Sequence, residues 1–311
     1  MRVRTLGADG LQVAAVGAGD VSLARAALRG VDASELERAL CEAIEGGIEL
    51  IDVAHERDAQ RLVGQVVRAL RVRDRAVVAC RLATARDLRP QVEACLRESK
   101  LEVLPLVQLP LTGLDPDDRG HAQALAAIAH LEDVAQQLVR EGKVLRWSSW
   151  AEGYSPDAPL PVGDWLVATS LPFNLCERQA EPLLAGCVLA RRPLAGGALA
   201  GALGPGVKLA RTDDRRDADF ARAAVGVAKL AALVKREPPA ARSCDAARAQ
   251  LDRNVRPAHL ECTTVAELAL RWVIDRGAIA LPRLHRREHV AEAIAAAAAP
   301  PLTNPLPELD T

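Results

Sequence analysis

The run Asp52-Val-Ala-His-Glu-Arg57 gathers a carboxylate, an imidazole, a second carboxylate and a guanidinium in one short stretch. Asp52, His55 and Glu56 can all exchange protons, so the run has the composition of an acid/base site for proton abstraction or a lyase-type step. A plain polar loop has the same composition. Arg57, Arg81, Arg191 and Arg192 supply guanidinium forks, the group best suited to carboxylates and phosphates. His285 and His289 stand four apart, a spacing that can grip a metal from a helix. No third ligand accompanies them, so a basic helix surface is the simpler account and no metal is expected. Gly17-Ala-Gly19 is a fragment of a glycine fingerprint, too short to specify a nucleotide site.

Length and composition frame what could position such groups. At 311 residues the chain exceeds the usual single-domain size, yet a (β/α)8 barrel routinely reaches it as one domain. Half the residues are apolar and aromatics make up only 2%, so the core must be built from Ala, Leu, Val and Ile, and stacking platforms for bases are not expected. A formal net charge of −1 gives no pull toward nucleic acid or an anionic membrane. The seven cysteines are scattered with no C-x-x-C pair, which reads as reduced thiols of the cytosol, neither a disulfide framework nor a zinc site. The opening Met1-Arg-Val-Arg-Thr has no apolar h-region and the alanine run 295–299 is too short to span a bilayer, so a cytoplasmic location is expected.

Short apolar runs alternate with helical patterns, the mark of a parallel α/β fold. A hairpin is expected from Arg2–Thr5 and Leu11–Ala14, turning at Ala8-Asp9-Gly10, with the first barrel strand ending near Val16-Gly17. A helix over 33–46 places Leu36, Leu40, Ala43 and Ile44 on one face and closes at Gly46-Gly47. Strands then fall at Ile48–Val53, Ala76–Cys80, Val103–Leu109, Val144–Ser148, Trp165–Leu171, Cys187–Arg191 and Ala278–Leu281. Helices fall near 57–70, 87–99, 122–141, 177–185, 264–275 and 287–298. The stretch 194–261 stands apart: a glycine-rich loop Leu194–Gly206, a charged run Arg211–Arg216, a helix at 218–234, and 236–260 without clear period. It reads as a long loop or insertion between the seventh strand and seventh helix of one domain covering 1–311.

Several segments, in order, resemble the aldo-keto reductase superfamily. Arg4-Thr-Leu-Gly-Ala-Asp-Gly-Leu-Gln-Val resembles its opening hairpin, and Gly46-Gly-Ile-Glu-Leu-Ile-Asp52-Val-Ala54 its second strand with the catalytic aspartate. Leu138-Val-Arg-Glu-Gly-Lys-Val-Leu-Arg-Trp-Ser-Ser149 is similar to its fourth helix and fifth strand. Pro193-Leu-Ala-Gly-Gly197 and Ala266-Glu-Leu-Ala-Leu-Arg-Trp-Val273 are similar to its seventh loop and seventh helix. The resemblance implies a (β/α)8 TIM barrel capped by an N-terminal β-hairpin. It also implies a tyrosine that protonates a carbonyl while NADPH delivers hydride, a lysine paired with the aspartate to lower the tyrosine pKa, and a substrate-orienting histidine.

Only the aspartate has its counterpart. The tyrosine position, five residues after Asp52, is Arg57; the lysine position is Arg81; the histidine position is Pro110. No register slip repairs this, because the only tyrosine is Tyr154 and no lysine precedes Lys100. Arginine stays protonated and proline has no donor to offer. The cofactor positions differ too. Ser149 and Ser170 replace the amides that hold the nicotinamide, Arg191 replaces the stacking aromatic, Asp20 replaces a threonine, and Arg283-Leu-His285-Arg286 replaces the 2′-phosphate motif. No cofactor is therefore expected, with NADP(H) the weaker alternative.

The leading expectation is a degenerate active site, a pseudoenzyme unable to reduce carbonyls with NADPH. Its arginine-rich mouth (Arg57, Arg81, Arg191, Arg192) would hold a small anionic molecule. Three rivals stay open. One is a different reaction class, a lyase, isomerase or cyclase using Asp52, His55 and Glu56. Another is a divergent NAD(P)-linked oxidoreductase. The last is a scaffold meeting a protein partner through 196–260.

Overall fold

The computed structural model describes residues 1–7, 10–111, 120–153, 164–201, 227, 228, 230, 231, 234, 264–302 and 306, with 120–129 described in backbone only. The chain opens with an antiparallel hairpin, β1 (Val3–Leu6) and β2 (Leu11–Ala14), in the register Val3↔Ala14 to Leu6↔Leu11. Eight parallel strands follow: β3 (Ala18–Val21), β4 (Leu50–Val53), β5 (Val77–Arg81), β6 (Leu106–Pro110), β7 (Trp147–Trp150), β8 (Leu166–Pro172), β9 (Val188–Arg191) and β10 (Ile279–Leu281). Each pairs with its sequence neighbour, and the seam between β10 and β3 is closed by Ala280 N to Ala15 O (3.0 Å), Gly17 N to Ala280 O (2.8 Å) and Gly19 N to Pro282 O (2.8 Å). The chain is a (β/α)8 barrel.

The helices between the strands are α1 (Leu23–Ala27), α2 (Ala33–Glu45), α3 (Arg57–Ala69), α4 (Leu88–Ser99), α5 (Gly120–Arg140), α6 (Val265–Asp275) and α7 (Arg287–Ala298). Their starts follow from local chemistry: Asp32 accepts from Glu35 N (2.8 Å) and Thr264 from Glu267 N (3.0 Å), each satisfying an otherwise orphaned first-turn donor. The stripe Leu36, Leu40, Ala43 and Ile44 of α2 is buried, as its helical period demands.

Strand alternation divides the core in two. Residues facing the helices, among them Ile51, Val53, Val78, Val107, Leu109 and Ala190, join the large outer shell. Residues facing the axis, Leu50, Val77, Ala79, Leu106, Ala168, Leu189, Ile279 and Leu281, form a separate plug with Leu6 and Val13 of the hairpin. The hairpin thus stoppers the barrel at the strand starts. Two residues further along the same inward rows the side chains turn polar: Asp52, Arg81, Gln108, Ser170 and Arg191, all buried.

Some expected boundaries move. The first barrel strand runs later than Val16-Gly17, because glycine at 17 and 19 lets the backbone continue flush against β10 and β4 where a Cβ would collide. The expected helix at 177–185 is only a 3₁₀ turn, Glu181–Ala185. Asn174 Oδ1 accepts from the amides of Cys176 (2.8 Å) and Glu177 (3.0 Å), and Pro182 has no N–H to return to Arg178, so a regular helix cannot form there. The glycine-rich loop beyond Gly201, the run Arg211–Arg216, most of the helix expected at 218–234, the segment 236–260, Tyr154 and the hairpin tip at 8–9 lie outside the described residues. No helix among the described residues is long and apolar enough to cross a membrane.

Candidate functional site

The polar ends of the inward rows meet around Asp52, which is fully buried on β4. Its Oδ1 accepts from Arg81 Nε (2.9 Å) and Gln108 Nε2 (2.7 Å); its Oδ2 accepts from Arg81 Nη2 (3.0 Å) and the Asp20 backbone N–H (2.9 Å). Arg81 and Gln108 come from β5 and β6 in register with each other, which brings both to the same level of the axis.

Asp20 reaches this level because β3 is irregular. Between Ala18↔Ile51 and Val21↔Val53 the register slips, and Asp20 adopts a left-handed backbone (φ 50°). A bulge of this kind re-aims a side chain, and aspartate is among the few residues that tolerate the conformation. The amide then faces Asp52, while the carboxylate gathers three arginines: Arg81 Nη2 at 2.5 Å, Arg283 Nε at 2.8 Å, and Arg25 in a close ion pair. Burial alone would raise the Asp20 carboxyl, but Arg81, Arg283 and Arg25 outweigh it and hold the pKa well below the usual carboxylate range. Burial likewise disfavours charge on Arg81, yet Asp52 and Asp20 prevail and raise its pKa above the ordinary arginine value. Asp20 and Arg81 are thus each held in the charged form.

Across the mouth, Trp150 at the end of β7 stands between two guanidinium groups, Arg191 at 5.4 Å and Arg81 at 5.9 Å from its ring centroid. Its Nε1–H donates to Leu82 O (3.3 Å). Arg191 donates from Nη1 to Ala151 O (3.1 Å) and from Nη2 to Glu152, and its pKa is lowered by burial and then by the charge of Arg81.

The sequence-expected residues sort accordingly. Asp20, Asp52, Arg81 and Arg191 meet at the mouth. His55 and Arg57 are exposed, the latter at the first position of α3, and Glu56 accepts the Ser22 hydroxyl on both carboxylate oxygens (2.8 and 2.7 Å). Arg192 follows β9 with a left-handed backbone and lies 3.9 Å from Glu177. Ser149 turns to its strand neighbour, donating to Thr169 Oγ1 (3.1 Å), while Ser170 Oγ is buried with no partner. Arg286 pairs with Glu35 (3.1 Å). Among the described residues no group of His, Cys, Asp and Glu is arranged to hold a metal ion, His285 and His289 included. Sequence reasoning missed Gln108, Trp150 and Arg25; the period-two rule offered the first, since Gln108 shares a strand face with Pro110.

Of the positions that the resemblance links to a nicotinamide cofactor, Ser149 donates to Thr169, Arg191 is a buried guanidinium, and Arg283 is drawn to the Asp20 carboxylate.

His285, after β10, is buried with Nε2 unpaired. Burial, then the charges of Arg29 and Arg283, push its pKa down to about 3 from 6.5. The folded chain therefore refuses a proton that the unfolded chain accepts below pH 6.5, so stability falls as pH drops through that window and levels off only near pH 3. Denaturant unfolding should lose about 1.4 kcal/mol between about pH 7.5 and pH 5.5 on this account, with His289 adding in the same sense. His285→Gln should flatten most of that loss; an unchanged pH slope in the variant would refute the assignment.

Comparison with known proteins agrees with this architecture. The family model described as "Aldo/keto reductase family" matches residues 15–305. Among solved structures, an aldo/keto reductase from Klebsiella pneumoniae in complex with NADP and acetate is 22% identical, with a TM-score of 0.61, covering 97% of this chain and 92% of that one. The glycerol dehydrogenase of Gluconobacter oxydans is 19% identical, with a TM-score of 0.67 and coverage of 97% and 91%. A holo aldo-keto reductase from Bacillus halodurans is 18% identical, with a TM-score of 0.63 and coverage of 97% and 93%. At these identities the likeness speaks for the fold alone. No curated protein matches the chain by sequence.

Proposed function

The chain belongs to the aldo/keto reductase family, and from that premise we propose that it has given up NADPH-dependent carbonyl reduction and keeps the barrel mouth as a pocket for a small anion. The observation that carries this reading is Arg81. It stands where the family's chemistry needs a lysine beside a tyrosine, yet it is a buried guanidinium bound to both oxygens of Asp52 and to Asp20. Such a group stays charged at every accessible pH and cannot pass on a proton. Among the described residues no phenol lies beside it, and Arg57, at the position where the resemblance expects the tyrosine, is exposed. The pocket reading draws on Arg191, a buried cation at the mouth, with Arg192 next to it in sequence.

The same reading takes 1–311 as one barrel unit in a cytoplasmic setting, with 194–261 as the connection from β9 to α6. The rival of proton abstraction by Asp52, His55 and Glu56 has less support. Asp52 is saturated with donors, Glu56 is taken up by Ser22, and His55 is exposed apart from them. A scaffold role through 196–260 depends on residues mostly outside those described.

A calorimetric titration with NADPH tests the proposal. The expected result is no binding at millimolar cofactor, no NADPH consumption with a panel of aldehydes and ketones, and a raised melting temperature with small carboxylates. Micromolar NADPH binding with turnover of a carbonyl would overturn it in favour of a divergent oxidoreductase.

A further inference from the structure

Arg191 is buried but weakly answered. Its Nη2 reaches the two carboxylate oxygens of Glu152 at 3.3 and 3.4 Å, longer than the roughly 2.7–2.9 Å of a firm charge-assisted bond. The Arg191 side chain is 8% exposed and that of Glu152 is 60% exposed, so a solvent-facing carboxylate leans in on an interior guanidinium. Beside this pair, Ser170 Oγ is buried and has no hydrogen-bond partner. Arg191 stands two residues beyond Leu189, the register partner of Ser170, so both side chains leave the same face of adjacent strands β8 and β9. A buried hydroxyl without a partner is costly unless something is meant to meet it.

We propose that Glu152 is a displaceable stand-in for the ligand: a monocarboxylate takes over the Arg191 fork, accepts the Ser170 hydroxyl, and releases Glu152 to solvent. This rests on the anion-pocket reading above and narrows it to one class of anion. Arg81 spends its Nε and Nη2 on Asp52 and Asp20, which leaves Arg191 as the more loosely paired guanidinium. The group to be displaced is a carboxylate that meets Nη2 with both oxygens, so a planar, singly charged anion of the same shape reproduces that contact.

Calorimetric titration of propionate, which reproduces the glutamate side chain, and of inorganic phosphate separates the outcomes. Glu152→Gln is expected to bind propionate about three- to fivefold more tightly than the native chain, the scale of an exposed ion pair. Ser170→Ala is expected to bind it about tenfold more weakly, and neither variant should gain phosphate affinity. Equal propionate affinity in the native chain and Glu152→Gln would overturn the stand-in role while leaving the anion pocket intact. A preference for phosphate in Glu152→Gln would overturn the monocarboxylate assignment. Failure of both anions to bind either protein would sink the pocket and the inference together. Because Glu152 is mostly exposed, its variant should keep the native melting temperature, and that comparison guards the reading against misfolding.

Discussion

Asp52→Ala is expected to weaken the folded chain by about 3–5 kcal/mol, the range for removing one partner of a buried ion pair. The loss has three parts visible in the geometry. Arg81 keeps only Asp20, Gln108 Nε2 keeps only a 3.5 Å contact to Ala79 O, and the Asp20 N–H loses its acceptor. Urea denaturation measures it through the midpoint at constant slope. The informative companion is Asp52→Leu with Arg81→Met, which removes charge and counter-charge together. That double variant should recover the share of the loss that comes from stranding Arg81, while Gln108 Nε2 and the Asp20 N–H stay without their acceptor. If Asp52→Ala costs less than about 1 kcal/mol, the pair is not what fixes the mouth, and Arg81 must be readily hydrated or re-paired. A stability loss of this size also warns against reading Asp52 variants as tests of catalysis.

Gly19→Ala is expected to cost about 3 kcal/mol through backbone displacement. A Cβ at this position would lie 2.1 Å from the Leu281 carbonyl oxygen and 2.6 Å from its carbon. The obstacle is backbone on the strand that closes the barrel, where Gly19 N donates to Pro282 O, so no side chain can rotate out of the way. The strain falls at the seam and is passed to Asp20, the next residue, whose bulged conformation brings its amide to Asp52. Gly153→Ala serves as the control, with no atom within 4 Å of the added carbon, and should leave the unfolding midpoint unchanged. Equal midpoints for the two variants would mean that β3 can slide against β10.

What was legible in the chain beforehand follows from which forces are local. The barrel could be read because each strand is a short apolar run and each helix a 3.6-residue stripe, both set by neighbours in sequence. The pairing of Arg81 with Asp52 was legible as a position, since the resemblance set one opposite the other. What could not be read was the hub at Asp20. Its role depends on a left-handed backbone inside a strand and on arginines 5, 61 and 263 residues away, which no pattern joins. Arg191 shows the opposite failure. The sequence gives it the same standing as Arg57 and Arg192, yet it is buried against Trp150, Arg57 is exposed and Arg192 is only partly covered. The lost helix at 177–185 turned on one asparagine side chain capturing two amides, a competition that periodicity does not register.

The stopper formed by Leu6 and Val13 beneath the axis has a kinetic consequence. The axis above it is filled with side chains as far as the polar layer, so a molecule held at the mouth has one doorway and must leave by the way it came. Entry and exit share that opening, and a second molecule arriving there would slow the departure of the first.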